Sequence, residues 1–203
     1  MKYKQFFAKI GGWRKSLRTS LRKFLRRSDY KRWGTTRSLN PYWDSRTEQI
    51  ARLIEPGKSV IEFGAGRLVL QNFLPQNCAY TPSDLISRGP GTLIWDLNSD
   101  KFPPLQSFDF AIFSGVLEYV NDVPRLISFL ANHINTIVAS YAVVEANPDN
   151  RRAQGWVNDF SSIHFMEIFY KAGFRCDHCE KWKSQLIYRF RKASSLEPCP
   201  KSV

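Results

Sequence analysis

The sequence predicts an α/β fold: a doubly wound, mostly parallel seven-stranded sheet that ends in an antiparallel hairpin. The strand-forming run at 60–63 leads directly into a turn with two glycines. Several later apolar runs likewise end in an acid or a small residue, as strands do at the ligand-binding edge of a parallel sheet. Near the carboxyl end, strand-like runs at 174–182 and 185–191 are separated by only Lys183 and Ser184, which predicts a hairpin.

The other elements follow from local signals. In chain order, the sequence predicts a helix at 47–54, a helix at 68–74, strands at 78–81, 93–95, 109–115 and 134–144, and helices from 123 and at 161–172. Asp122 is a suitable cap for the helix from 123, which has Pro124 in its first turn. Gly173 is a suitable residue to end the last helix.

The glycine turn is the first feature that indicates a function. Gly64 and Gly66 follow the strand at 60–63 with one residue between them. A Cβ atom there would fill space that a ribose or an amino-acid moiety needs. A strand, a glycine turn and a helix together bring backbone close to a nucleotide-like ligand. A tight turn without any ligand is the alternative.

Acids at the ends of later strands strengthen the interpretation as a ligand site. Asp84 lies 22 residues beyond Glu62, after the strand-like run at 78–81. An acid about 20 residues beyond the glycine turn is where α/β nucleotide folds bind ribose hydroxyls. A further acid, Asp96, follows the run at 93–95. The spacing therefore predicts a ribose-binding carboxylate at Asp84.

These motifs resemble, in order, those of the class I S-adenosylmethionine-dependent methyltransferases. The segment 62–66 is similar to the family's first motif, and Asp84 stands where the family has its ribose-binding acid. The segment 96–98 resembles the one whose acid meets the adenine amino group, and 114–120 resembles the one on the cofactor's other side. The resemblance covers 42–192 and implies a Rossmann-like fold, S-adenosyl-L-methionine as cofactor and methyl transfer as the reaction. The cofactor-binding residues that it implies are Glu62, Gly64, Ala65, Gly66, Asp84, Asp96, Leu97 and Ser114.

One position departs from the family's pattern. The family often has a third glycine two residues after the second, and Leu68 stands there instead. This change predicts an altered loop. It leaves open a domain that keeps the fold but has lost its activity and serves as an interaction protein.

The net charge of +12 belongs to the first 37 residues. They carry thirteen Lys and Arg against one acid, Asp29, whereas the rest of the chain carries seventeen of each sign. The sequence therefore predicts a basic tail at 1–37, a methyltransferase-like domain at 38–192 and a disordered tail at 193–203.

The basic tail is also amphipathic. Its apolar residues fall within an arc of roughly 120° on a helix, with Lys and Arg around the remainder. They are Phe6, Phe7, Ile10, Trp13, Leu17, Leu21, Phe24 and Leu25. Aromatic residues opposite basic ones are typical of a helix that lies on an anionic membrane surface. Gly11 and Gly12 are expected to break or soften the helix.

Three other interpretations of the tail remain open: binding to RNA phosphates, a cleaved organelle transit peptide, and a solvated or partner-docked tail. RNA binding would need the charge but gives no reason for the apolar stripe. No run approaches the about 20 apolar residues of a transmembrane helix, and no secretory signal core is visible. The protein is expected to be cytoplasmic and peripheral on the inner face of a membrane.

The four cysteines predict neither a disulfide framework nor a metal site. A reduced cytosolic context is the default for such a chain. Cys176 and Cys179 have the spacing of half a zinc site, but no second half accompanies them, because His133 and His164 are isolated.

Methyl transfer needs a nucleophile in line behind the methyl group and a base only when that nucleophile arrives protonated. The candidate bases are Glu118, Asp159 and His164, each with a structural alternative such as a helix cap for Asp159. The Asp/Asn-Pro-Pro-Tyr motif that the family uses on nucleobase or glutamine nitrogens is missing after the fourth strand. Its absence favours a small-molecule, lipid or saccharide acceptor over RNA.

An NAD(P)-dependent oxidoreductase is disfavoured, because the third glycine and a catalytic Tyr-x-x-x-Lys set are absent.

Overall fold

The computed structural model describes residues 2–193, with side chains from residue 11 onward. A seven-stranded sheet has the order β3-β2-β1-β4-β5-β7-β6. The strands are β1 Ser59–Phe63, β2 Ala79–Asp84, β3 Leu93–Ile94, β4 Phe108–Ser114, β5 Ile134–Tyr141, β6 Phe174–Trp182 and β7 Gln185–Lys192. β1 to β5 run parallel, and β7 pairs antiparallel with both β5 and β6. The predicted fold class is confirmed.

The helices within residues 2–193 are mostly short. They are α1 Lys2–Phe24, α2 Tyr30–Trp33, α3 Asp44–Ala51, α4 Val123–Leu130 and α5 Ser162–Lys171. Single 3-10 turns connect several elements, among them Leu70–Asn72, Leu117–Tyr119 and Arg151–Gln154. None of the helices in this part of the chain is long and apolar enough to cross a bilayer.

Both faces of the sheet are covered because the buried strands alternate their side chains between two cores. On one face, Phe63 and Phe113 stack at 4.9 Å and belong to the core that α4 and α5 cover. On the other face, Val60 and Ile112 belong to a smaller core beneath α3. This two-sided covering is the doubly wound arrangement that the apolar runs predicted.

Several local predictions are confirmed. The hairpin has the two strands β6 and β7 with Lys183 and Ser184 between them. Asp122 caps α4 by accepting a hydrogen bond from the backbone N–H of Arg125 at 3.1 Å. The cap of α5 is Ser161, which accepts from the N–H of His164 at 3.1 Å, so the alternative of a cap at Asp159 is wrong.

The predicted helix at 68–74 is absent, and only the 3-10 turn Leu70–Asn72 follows the glycine turn. Leu68 is the cause: its φ of +59° lies in the left-handed region, which interrupts a right-handed helix. The backbone N–H of Leu68 still closes the turn by donating to the carbonyl of Ala65 at 2.8 Å. Leu68 thus adopts the conformation for which the family often has glycine, at a cost of about 1–2 kcal/mol.

Other elements also differ from prediction in their bounds or continuity. α3 begins at Asp44 rather than at residue 47, and β5 ends at Tyr141 rather than at residue 144. The helix α1 runs through Gly11 and Gly12 without a break. Each glycine costs only about 1 kcal/mol in a helix, and α1 also packs against the 3-10 turn Arg151–Gln154. The predicted tail at 193–203 lies outside the described residues except for Ala193.

The strand order determines where a ligand-binding crevice can form. From β1 the chain moves outward to β2 and β3, then returns to the other side of β1 and continues to β4 and β5. The connections on the two sides of β1 therefore diverge, which leaves a crevice outside the carboxyl ends of β1 and β4. The glycine turn and the loop after β4 both begin there.

We expect Phe169→Ala to lower the free energy of unfolding by about 3–5 kcal/mol. The Phe169 ring is fully buried and stacks on Phe190 at 3.8 Å, so the truncation leaves a cavity between α5 and the sheet. The matched control is Ile163→Ala on the same helix, where Ile163 is 67% exposed and the expected change is within about 0.5 kcal/mol. Urea denaturation measures both; equal effects would contradict the packing described.

Candidate cofactor site

A cavity of about 480 Å³ lies at this crevice. Its floor is formed by the glycine turn, the end of β2 and the loop after β4. Residues from the predicted tail and the segment before α3 also contribute, as does the tip of the hairpin. Of the eight cofactor-binding residues predicted from the resemblance, seven line the cavity: Glu62, Gly64, Ala65, Gly66, Asp84, Leu97 and Ser114.

The two glycines are required for different reasons. Gly64 has a φ of +70°, and a Cβ there would lie 2.6 Å from Cγ2 of Val116. Its lack of a side chain is therefore required by the chain itself. A Cβ on Gly66, whose φ is +54°, would meet its nearest neighbour, Leu39, at 3.4 Å, so the left-handed conformation is the main constraint on this residue.

The predicted ribose acid, Asp84, is buried and already accepts four hydrogen bonds. The backbone N–H groups of Gly66 and Leu85 donate to it at 2.9 and 2.7 Å. Arg88 donates through Nε and Nη2 at 2.9 and 3.2 Å, in an ion pair whose side chains are only 5–6% exposed. The Arg88 guanidinium also donates to the carbonyl of Trp33. Asp84 therefore connects the glycine turn to the segment that precedes α3.

Asp96 is the exception among the predicted residues, because it does not line this cavity. Its carboxylate turns toward the predicted tail, where it accepts hydrogen bonds from Ser28 Oγ at 2.6 Å and from the hydroxyl of Tyr30 at 3.1 Å. The neighbouring residues Leu97 and Asn98 line the cavity instead. The prediction that the Asp96 side chain meets the adenine is thus not supported by its position.

Glu62 is a buried acid on the cavity wall. The hydroxyl of Tyr80 donates to its Oε2 at 2.5 Å. Burial raises the pKa of the Glu62 carboxyl to about 8, although the hydrogen bond from Tyr80 opposes the shift. The carboxyl therefore holds a proton at neutral pH.

Sequence reasoning missed Arg46, which occupies the centre of the site. Its guanidinium donates to Ser114 Oγ at 3.2 Å, to the Ser114 carbonyl at 2.8 Å and to Gln185 Oε1 at 2.8 Å. It lies over the rings of Trp43 and Trp182 at 5.8 and 5.4 Å. Burial lowers the pKa of Arg46. The signal that could have found it is position: Arg46 lies one helical turn before the buried Ile50, on the face of α3 that packs inward.

No carboxylate lies within ion-pair distance of Arg46 among residues 11–193. The Arg46 guanidinium is also close to Gly115, where a Cβ would lie 2.4 Å from its Nη1. Glu118 and Glu62 act on Arg46 only from beyond that distance, and a buried cation without an ion-pair partner is costly. The site could therefore accept an anionic group next to Ser114.

The three predicted bases occupy very different places. Glu118 lines the cavity and is 1% exposed; its Oε1 accepts from the N–H of Ala142 at 2.9 Å, while its Oε2 has no partner. Burial raises the pKa of Glu118. Asp159 is paired with Arg151 and Arg152, and neither it nor the exposed His164 lines the cavity. Only Glu118 is therefore placed where a base could act.

Other side chains outside the glycine turn also border the cavity. Tyr42 and Trp43, which precede α3, both line it, and Trp43 packs against the smaller core as well. Asn147, in the loop after β5, also lines the cavity. Cys176 and Cys179 are exposed on β6, and within the described residues no cluster of three metal-ligating side chains occurs.

Comparison with known proteins shows the family. A sequence profile described as a methyltransferase domain matches residues 36–178. The chain belongs to this family. No curated protein sequence is detectably similar to it.

Solved structures share the fold of this methyltransferase domain. The 1,6-didemethyltoxoflavin-N1-methyltransferase of Burkholderia thailandensis, with 1,6-didemethyltoxoflavin and S-adenosylhomocysteine bound, is 16% identical with a TM-score of 0.59, over 75% of this chain and 79% of that one. Human N-acetylserotonin methyltransferase, with S-adenosylmethionine bound, is 16% identical with a TM-score of 0.64, over 81% and 58%. CalO1, a methyltransferase in calicheamicin biosynthesis, is 15% identical with a TM-score of 0.63, over 92% and 70%. At these identities, the likeness shows the fold of class I methyltransferases.

We expect Glu62→Gln to flatten the pH dependence of stability. The folded state keeps the Glu62 proton up to about pH 8, whereas the unfolded chain releases it near 4.5. The stabilising contribution of Glu62 is therefore full below pH 4.5 and is lost as the pH rises to about 8, by an amount on the order of a few kcal/mol. Glutamine cannot ionise, so the variant should lose less stability than wild type between pH 5 and pH 8 in urea denaturation.

The control for this comparison is Glu48→Gln, which makes the same chemical change on the surface of α3. It should keep the wild-type pH dependence. If Glu62→Gln also keeps it, Glu62 is ionised in the folded protein and the conclusion that it holds a proton is wrong.

Proposed function

We propose that this chain is an S-adenosyl-L-methionine-dependent methyltransferase that acts on a small-molecule, lipid or saccharide acceptor. The observation that carries the proposal is the buried guanidinium of Arg46, which has no carboxylate within ion-pair distance among residues 11–193 and lines the same cavity as the glycine turn. The carboxylate of the cofactor's amino-acid part would supply an ion-pair partner for this guanidinium. The size of the cavity, about 480 Å³, suits a ligand of this kind.

Each part of the cofactor would be held by different residues. Arg46 would bind the carboxylate, Asp84 the ribose hydroxyls, and Leu97 and Asn98 would border the adenine. When bound, the cofactor supplies an activated methyl group on a sulfonium. The contribution of the chain is to position the acceptor behind that methyl group. In favourable cases such positioning lowers the activation barrier by about 7–11 kcal/mol.

Glu118 is the residue that we propose removes the proton when the group to be methylated is a hydroxyl. Its Oε2 is a buried carboxylate oxygen without a hydrogen-bond partner. Its Oε1 is fixed by the N–H of Ala142, which orients the carboxyl. The raised pKa makes Glu118 a better base when ionised than an exposed glutamate is.

The walls of the cavity favour an acceptor with a flat or apolar surface. Aromatic side chains border it on several sides: Trp33, Tyr42, Trp43, Tyr119, Trp156 and Trp182. The Burkholderia thailandensis relative was solved with 1,6-didemethyltoxoflavin, and the human relative is named for N-acetylserotonin. Both support a small-molecule acceptor over RNA.

The main alternative is a non-catalytic interaction protein that keeps the fold. It is favoured by Asp84, because both oxygens of the predicted ribose acid are already occupied by four donors. A bound ribose would have to displace Arg88 or share the carboxylate with it. Cofactor binding therefore separates the two functions.

We expect the wild type to bind S-adenosylhomocysteine in isothermal calorimetry and Asp84→Asn to bind it roughly 10- to 100-fold more weakly. The loss corresponds to the about 1.5–3 kcal/mol that hydrogen bonds to a charged group contribute. Asp177→Asn, which removes an acid from an ion pair on β6 far from the cavity, is the control and should keep wild-type affinity.

An unchanged dissociation constant for Asp84→Asn would place the ribose contact elsewhere. Wild type that binds no S-adenosylhomocysteine at millimolar concentration would contradict the enzyme and support the non-catalytic alternative. NAD is the second ligand to titrate, because binding of NAD alone would favour an oxidoreductase.

We further propose that the protein is cytoplasmic and works at the inner face of a membrane through α1. The side of α1 toward the domain is small and polar, with Gly12, Ser16 and the buried Thr19. The bulky apolar side faces outward, where Trp13 is 65% and Phe24 83% exposed. This orientation is the reverse of that in a helix that covers a core. Exposed basic residues beside the apolar stripe, among them Arg14, Lys15, Arg18 and Lys23, suit an anionic bilayer.

We expect the protein to sediment with anionic vesicles at physiological salt and a variant with Trp13, Leu17, Leu21 and Phe24 all replaced by Ser to lose most of that binding. The variant keeps every basic residue, so the difference isolates the apolar stripe. Ile94→Ser/Ile163→Ser, which removes two exposed isoleucines elsewhere, is the control. Vesicle binding that survives in the stripe variant, or a preference of wild type for RNA over vesicles at equal phosphate, would contradict the membrane proposal.

A further inference from the structure

We infer that the membrane surface and the cofactor cavity are thermodynamically coupled through residues 25–34, which continue α1 and roof the cavity. When α1 lies on an anionic bilayer, the roof is held closed, and the cofactor binds more tightly than it does to the protein in solution. The inference rests on the proposed function and adds a regulation of the same site.

The apolar stripe and the cavity are only a few residues apart along the chain. α1 ends at Phe24, and Arg22 near that end lines the cavity, as does Arg27 after it. An ion pair of 2.9 Å between Arg22 and Asp29 closes the turn between α1 and α2. A change in the position of α1 therefore acts directly on the roof.

Ser28 and Tyr30 fix the roof to the loop after β3, where Asp96 lies. Ser28 and Tyr30 both donate to the Asp96 carboxylate, and Nδ2 of Asn98 donates to Ser28 Oγ at 2.8 Å. Asn98 in turn lines the cavity. Asp96 therefore has a role other than the adenine contact that the sequence suggested: its hydrogen bonds hold the roof in place.

The far side of the roof reaches the loop before α5 and the predicted ribose acid. Arg32 donates to the carbonyl of Gln154 and lies over the ring of Trp33 at 4.4 Å. Trp33 packs edge-on against Tyr119 with 4.9 Å between ring centroids. The Trp33 carbonyl accepts from Arg88, which holds Asp84. The roof and the ribose acid are thus joined through a single side chain.

The position of α1 on the domain, unlike that of residues 28–34, is held by few apolar contacts of its side chains from residue 11 onward. α1 contacts the domain through small polar side chains, and its large apolar side chains bury little surface there. Polar contacts of this kind contribute little net stability. Gly11 and Gly12 also cost the helix about 1 kcal/mol each, which lowers the stability of α1 when it is not packed.

The helical form of α1 binds the bilayer better than an unfolded form does, and coupling requires such a difference in affinity between two states. Only the helical form of α1 presents its apolar side chains as one stripe with basic residues beside it, so only that form binds the membrane well. The helical form is also the one that places the small polar side against the domain and continues into the roof. By linkage, the cofactor must then strengthen membrane binding by the same factor.

The test measures the dissociation constant of S-adenosylhomocysteine for the full chain with and without vesicles of phosphatidylserine and phosphatidylcholine. With saturating vesicles, wild type should bind about fivefold or more tightly, the lower end of typical coupling between two sites. The variant with Ser at 13, 17, 21 and 24 should keep the vesicle-free affinity and show no gain. The roof variant Ser28→Ala/Tyr30→Phe should still sediment with vesicles but lose most of the gain, and Ile94→Ser/Ile163→Ser should behave as wild type.

The outcomes separate the inference from the function on which it rests. Wild type that sediments with vesicles and binds S-adenosylhomocysteine equally well with and without them would overturn the coupling and leave the proposed function intact. Absence of binding in both conditions would instead overturn the proposed function. A roof variant that keeps the full gain would show that Asp96 does not fasten the roof. A reciprocal measurement, the lipid concentration for half-maximal sedimentation with and without S-adenosylhomocysteine, must change by the same factor.

Discussion

The buried carboxylate of Asp84 joins the parts on which the site depends. It accepts from Gly66 in the glycine turn, from Leu85 at the end of β2 and twice from Arg88. A carboxylate at this depth is tolerated because hydrogen bonds and an opposite charge replace water around it. Removal of its charge would leave the Arg88 guanidinium unpaired and would loosen the turn and the roof together. The geometry of the cavity and its closure are therefore set by the same group.

The missing helix after the glycine turn bears on which ligand fits. Dinucleotide sites place a pyrophosphate at a helix N-terminus, where free N–H groups and the helix dipole favour negative charge. Here Leu68 interrupts the helix, and only a 3-10 turn follows. The charged group that the cavity can neutralise lies instead at Arg46, beside Ser114. That arrangement suits a cofactor whose only anion is an amino-acid carboxylate better than it suits NAD.

Features set by nearby residues could be predicted from the sequence, whereas those set by distant contacts could not. The hairpin, the Asp122 cap and β1 depend on residues only a few positions apart, and all three are confirmed. The orientation of the Asp96 side chain toward Tyr30, by contrast, depends on a partner 66 positions away. The burial of Arg46 depends on Ser114 and Gln185, which are 68 and 139 positions away. For Leu68, the preference against a left-handed leucine favoured a helix, and closure of the turn outweighed it.

The outward-facing stripe of α1 also bears on how such an enzyme would meet its acceptor. A protein held on a bilayer by Trp13, Leu17, Leu21 and Phe24 searches in two dimensions, as does any acceptor that resides in the same leaflet. Its turnover would then follow the mole fraction of acceptor in the surface rather than the bulk concentration. Dilution of the membrane with inert lipid would slow it even at constant total acceptor. In the absence of a membrane, the same apolar stripe offers a contact for a second copy of the chain, because exposed apolar surface of this kind promotes association.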